Sequence, residues 1–140
     1  MALYDDTHVL ALARRRRITW RDVRPLCPEG LFVSRREFPA TGSREERLAA
    51  LSGGWGDVSP WTWLDVVWQI RACGSLPFVA TVGGLVACGA DIVGLRRGSE
   101  LLLERPGPWF EAIDGCWFPT GRGRPWVLSV QRPTPEKIAG

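Results

Sequence analysis

The residues of this 140-residue chain with most capacity for chemistry are four cysteines, one histidine and a run of four arginines. Cys27, Cys73, Cys88 and Cys116 are scattered. A zinc knuckle needs cysteines paired a few residues apart, and no such pair occurs, so the thiols read as reduced and unliganded. His8 has no Cys or Asp at nucleophile or metal spacing and reads as a surface histidine. Asp65 and Gln69, one helical turn apart, would do acid–base work only beside a second titratable group; none is evident, and a polar pair on a helix is the better reading. Arg14 to Arg17 could form a nucleic-acid or nuclear-import patch. The charge excess is only +3, however, and no second basic stripe accompanies the run, so a solvated helix end is favoured. Gly121-Arg122-Gly123-Arg124 is a commonplace two-unit repeat. These residues point to no catalytic centre, metal site or cofactor, and the chain reads as a binding protein rather than an enzyme or a nucleic-acid binder.

The elements that would position such residues can be read from caps and periodicity. Asp5-Asp6-Thr7 offers N-cap residues, and Val9, Leu12 and Ala13 follow at helical spacing, predicting a helix over 6–17. Arg24-Pro25 and Cys27-Pro28 then break regular structure. Ser43-Arg44-Glu45-Glu46 matches the capping box, and Leu48 and Leu51 give a short amphipathic helix ending at Ser52-Gly53-Gly54. Ser59-Pro60 opens another, with proline at the first helical position. From 61 to 73 that helix is apolar almost all round, which predicts that other helices wrap it. Pro77 should end or kink it. Residues 85–95 read as helical or extended, 105–108 as a loop, and 109–113 as one helical turn closed by Asp114-Gly115. Residues 1–120 form one domain on this reading, and 121–140 a tail that lies on the surface or is disordered. The run 76–95 carries Asp91 and four glycines, so no transmembrane anchor is expected. Tyr4-Asp5-Asp6 interrupts any apolar leader.

A nearly all-apolar helix wrapped by shorter amphipathic ones resembles the plan of the Bcl-2 family of apoptosis regulators, and two stretches are similar to that family's signatures. Thr62-Trp63-Leu64-Asp65, then Val66-Val67-Trp68, then Cys73-Gly74-Ser75-Leu76 resembles the first motif: Asn-Trp-Gly-Arg, apolar residues and Gly-Gly-x-Leu. Pro108-Trp109-Phe110 followed by Gly115-Cys116-Trp117 resembles the second, a Trp followed by Gly-Gly-Trp, with one extra residue. The resemblance implies an all-α, Bcl-2-like helical bundle around a central hydrophobic helix, of the shortened viral kind. Trp63, Cys73, Gly74, Trp109, Gly115 and Trp117 would be its structural motif residues, the glycine admitting close helix approach.

The implied function is anti-apoptotic. Pro-apoptotic partners would lay a death-motif helix in a groove floored by Leu48, Leu51, Leu64, Asp65, Val67 and Trp68. That implies a cytoplasmic place in a host cell, peripheral at the mitochondrial outer membrane. Asp65 stands where the family has the Arg that meets a ligand Asp, and Leu64 and Trp68 add bulk, so weak peptide binding is expected. The alternative is a helical viral or bacterial adaptor of another lineage that binds a host protein through another surface.

Overall fold

The structure, a computed structural model, describes residues 16–36, 42–55, 58–97, 100–121 and 126–130. The expected helix over 6–17 and His8 lie largely or wholly outside them. The described elements run in the order α1 (Trp20–Val23), β1 (Gly30–Ser34), α2 (Arg44–Ser52), α3 (Pro60–Cys73), β2 (Leu76–Val82), β3 (Leu85–Arg96), β4 (Glu100–Glu104), a 3-10 turn (Pro108–Phe110) and β5 (Trp126–Val130). The strands form one five-stranded sheet in the order β4-β3-β2-β1-β5. The fold is therefore mixed α/β, and the expected all-α, Bcl-2-like helical bundle is overturned; nothing in the structure supports the apoptosis reading that the resemblance implied.

The physical reason lies in residues 76–104. Leu76, Phe78 and Ala80 of β2 and Cys88, Ala90 and Ile92 of β3 share one core, whereas Val79 and Val86 belong to a second. That is the two-residue alternation of strands, not a helical stripe. Gly83 and Gly84, with φ of 58° and 91°, make the two-residue reversal between β2 and β3. Such a turn matches the twist of antiparallel strands and favours residues that tolerate positive φ. Pro77 does not end α3, which stops at Cys73, but is the second residue of β2: it pairs with Asp91 of β3, and β1 joins β2 only from Phe78 onward. Its missing N–H therefore falls at the strand's start.

β1 and β2 run parallel, with Phe32 opposite Phe78. Parallel neighbours require a crossover, and the stretch carrying α2 and α3 supplies it. Both helices begin as the sequence indicates. Ser43 accepts from the Glu46 backbone N–H at 3.2 Å, and Ser59 from that of Thr62 at 3.3 Å with Pro60 in the first turn. They cover one face of the sheet over Phe32, Trp55, Val58, Val66, Phe78 and Ile92. The opposite face is covered by α1, the 3-10 turn and the irregular chain around them: Ile18, Val23 and Cys27 from the N-terminal side, and Phe110, Ile113 and Phe118 from the segment after β4. Within the stretch read as tail, Trp126–Val130 pairs antiparallel with β1.

Trp55 anchors the helical face. It is fully buried, donates its indole N–H to the Leu51 carbonyl at 2.7 Å and meets Phe32 edge-on at 5.3 Å. Arg36 lies over the same indole, 3.7 Å from the ring centroid, and donates to the Gly53 and Leu51 carbonyls at 2.7 and 3.3 Å. One guanidinium thus satisfies carbonyls that the end of α2 leaves without helical partners and adds a cation–π contact.

Candidate functional site

α3 is apolar on every side, as read from its sequence, but it is not wrapped. Val66 and Gln69 are its buried residues, and Trp63 and Ile70 pack partly against the core. Trp61, Leu64 and Trp68 face outward, 77%, 58% and 50% exposed. Their three- and four-residue spacing aligns them on one face of the helix. The expectation that α3 is the enclosed centre of a bundle fails because a sheet covers one side of it and no described element covers the other.

The helix that carries the stripe is held firmly. Ser59 caps its first turn, and the Gly74 N–H closes the last turn on the Ile70 carbonyl at 2.7 Å, with Gly74 left-handed at φ 87°. A Cβ placed on Gly74 would meet nothing within 4 Å. Its role is therefore the left-handed stop that glycine makes without strain, not the close helix approach that the motif implied.

Of the residues expected to floor a groove, Leu64 and Trp68 lie on this open face with Asp65 and Val67 half-buried beside them. Leu51 is fully buried on α2 and Leu48 partly so, against β4 and the core rather than beside a helical trough. Trp63 packs toward the core and Cys73 is exposed. The second motif is structural in another way. Trp109 donates its indole N–H to Asp91 at 2.9 Å, and the same carboxylate accepts the Gly107 backbone N–H at 2.9 Å. Gly115 turns the chain at φ 72°, and Trp117 bridges to Arg17 on one side and Leu85 on the other. These residues fasten the 105–118 segment across the sheet.

The residues that sequence reasoning passed over are Trp61, the most exposed of the three in the stripe, and Arg71 and Ala72, exposed on the same outer face. The signal was available in the i, i+3, i+7 placement of Trp61, Leu64 and Trp68. It was absorbed into the inference that an all-apolar helix must be enclosed.

Thiol chemistry is muted. The Cys73 thiol donates to the Glu29 carboxylate and accepts from Gln69 Nε2 at 3.3 Å. The hydrogen bond to Glu29, with burial and the carboxylate charge adding to it, pushes the thiol up to about 11. Burial, and secondarily the charge of Asp91, pushes Cys27 up to about 12. Both are protonated at neutral pH and so lack the thiolate that nucleophilic or metal chemistry requires. A cleft of about 610 Å³ beside the β2–β3 turn contains Arg35, Thr81 and Thr120. There Arg35 spends its Nη1 on the Thr120 and Gly121 carbonyls, at 3.2 and 2.8 Å. Among the described residues no group of three or more His, Cys, Asp or Glu side chains could hold a metal ion, and no helix is long and apolar enough to cross a membrane. No family model, curated protein or solved structure matches the chain.

Proposed function

We propose that this chain is a protein-binding module whose docking face is the outer side of α3. The observation that carries the reading is the exposure of Trp61, Leu64 and Trp68 in one line on a capped, sheet-anchored helix. A buried aromatic covers about 150–250 Å², so these fractions leave roughly 300–400 Å² of apolar surface in water. That matches the largest patches on ordinary monomers, which are often functional. Burying it would release on the order of 7–10 kcal/mol at about 25 cal/mol per Å², of which association consumes a large part. Tryptophan is the side chain most enriched among residues that dominate binding energy. A helix already fixed at both ends loses little freedom when a partner arrives.

A protein suits this face better than a lipid surface. Helices that lie in membranes flank their apolar stripe with several Lys or Arg. Here Asp65 and Arg71, one of each sign, border it.

The test is a photo-crosslinking amino acid at position 64 in cells, identification of the protein captured, and titration of that purified protein against the wild type. Trp61→Ala with Trp68→Ala should weaken the measured affinity about a hundredfold or more, two anchors of roughly 2 kcal/mol each being lost. An affinity unchanged by that double variant, with its unfolding midpoint intact, would refute the assignment.

A further inference from the structure

We infer that the outer edge of β4 takes up an extended segment of another protein as a further strand, one whose apolar residues lie between two basic ones. This surface is separate from the outer side of α3. β4 ends the described sheet and pairs only with β3. Alternate residues of Glu100–Glu104 therefore aim backbone N–H and C=O groups away from β3, and no described group bonds to them there. Such an edge is a template for a strand, and the ladder that forms on it supplies affinity without demanding particular side chains.

The side chains around the edge set which strand fits. Glu45, Leu48, Ala49 and Ser52 share one face of α2 at helical spacing, and that face encloses with β4 a groove of about 490 Å³. α2 thus overhangs the place a further strand would take. Leu101 and Leu103 pack into the core beneath α2, so Glu100, Leu102 and Glu104 point to the other side of the sheet. An added strand repeats that alternation. Its residues opposite Leu101 and Leu103 turn toward Leu48 and Ala49, where apolar side chains suit. Its residues opposite Glu100 and Glu104 meet carboxylates, and cross-strand neighbours of opposite charge attract. Glu45, Glu100 and Glu104 line the groove together with no cation. Among the described residues only Glu100 of the three is in an ion pair, with Arg96 at 3.8 Å.

The same charges disfavour a second copy of this chain. Two β4 edges laid antiparallel about Leu102 set Glu100 against Glu104 twice, and laid parallel they set each glutamate against its own image. Like charges directly opposite one another repel. A segment with Lys or Arg at both ends of the strand matches in either direction, because an acid stands at each end of β4.

Fluorescence anisotropy of a labelled Lys-Val-Thr-Val-Lys peptide, flanked by glycines, tests this on the full chain over about 1 µM to 1 mM. The contact is well short of the area of stable complexes, so saturation with a dissociation constant below about 300 µM is expected. Glu-Val-Thr-Val-Glu should bind about tenfold more weakly or worse. Two further lysine peptides carry N-methyl groups on complementary sets of alternate amides. One should lose binding and the other keep it, because only alternate residues of a strand donate to a given neighbour. Ala49→Arg, at an exposed helical position, should abolish binding by filling the groove. Glu104→Lys should weaken the lysine peptide about fivefold or more and strengthen the glutamate peptide. Unfolding midpoints equal to wild type establish that both variants fold. No saturation by about 1 mM, equal binding of the lysine and glutamate peptides, or equal binding of the two methylated peptides would overturn the inference. So would binding that survives Ala49→Arg but is lost in Trp61→Ala with Trp68→Ala, which would seat the peptide on α3.

Discussion

Gly89 in β3 and Phe110 in the 3-10 turn occupy one volume between them, and a double-mutant cycle on the pair should show it. A Cβ built on Gly89 would stand 2.3 Å from Cδ2 and 2.4 Å from Cε2 of the Phe110 ring. Ordinary contact begins near 3.5 Å, so the ring must retreat by about 1 Å. It has little room to do so. The Phe110 carbonyl accepts from the Ile113 and Asp114 N–H groups at 3.0 and 2.9 Å, its own N–H bonds to Gly107 at 3.2 Å, and its neighbour Trp109 is tied to Asp91. Gly89→Ala should therefore destabilise by about 2–3 kcal/mol, in the upper part of the overpacking range. Phe110→Ala, removing a ring that is 7% exposed, should cost about 3–4 kcal/mol. The double variant should be less damaged than the sum by 1 kcal/mol or more, because the new methyl fills part of the space that the ring leaves. Urea unfolding followed by far-ultraviolet dichroism measures all four corners, with equal slopes required for comparison. Additive losses, or a Gly89→Ala variant within 0.5 kcal/mol of wild type, would show that the ring does not rest on the glycine.

Gly74→Ala should cost about 1–2 kcal/mol through its left-handed backbone, and Gly74→Leu no more than that, since open space surrounds the position; thermal midpoints decide between this strain and the overpacking expected for a helix-contact glycine. Glu29→Gln removes the charged acceptor of the Cys73 thiol, so iodoacetamide should label Cys73 about tenfold faster or more at pH 8, as the thiol returns toward its ordinary value near 9; an unchanged rate would mean that the pair does not form in solution. Because the folded state raises the Cys27 thiol from 9.0 to about 12, its contribution to stability is complete below pH 9 and is lost as pH climbs toward 12. Cys27→Ala should flatten the alkaline limb of a stability–pH curve, and an unaltered limb would assign that limb to other groups.

The starts of α2 and α3 were legible because capping is local chemistry, whereas the short α1 was not expected. Ser43 and Ser59 with Pro60 announce their helices within four residues. The sheet was legible too, but through signals that another reading displaced. Val79, Thr81, Val86 and Ile92 are β-branched residues around Gly83-Gly84, the pattern of two strands joined by a tight reversal. Glycines taken as helix-packing positions became evidence for a bundle instead. A single apolar run cannot say which of its faces a distant strand will cover, which is why α3 was read as enclosed. Trp55 and Arg36 meet across a gap of nineteen positions, through a contact that depends on how β1 and α2 are placed and has no local signature. Trp61 and Trp68 were misassigned by the same limit: burial is a property of the assembled layers.

The position of β1 within the sheet sets an order on the folding of the chain. β2, β3 and β4 are consecutive and antiparallel, so their pairing closes only short loops. β1 must wait for two distant segments, β2 beyond the helical crossover and β5 nearly a hundred residues downstream. Non-local pairings are slow to form because loop closure precedes any reward from contact. During synthesis the meander is thus available while β1, with its apolar Leu31, Phe32 and Val33, still lacks the strand that seals its outer side. An open apolar strand edge is the feature that draws chains into misassembly. Among the described strands, the last one made is therefore the one that protects the first, and a ribosome that stalls before Trp126 leaves the outer edge of β1 uncovered.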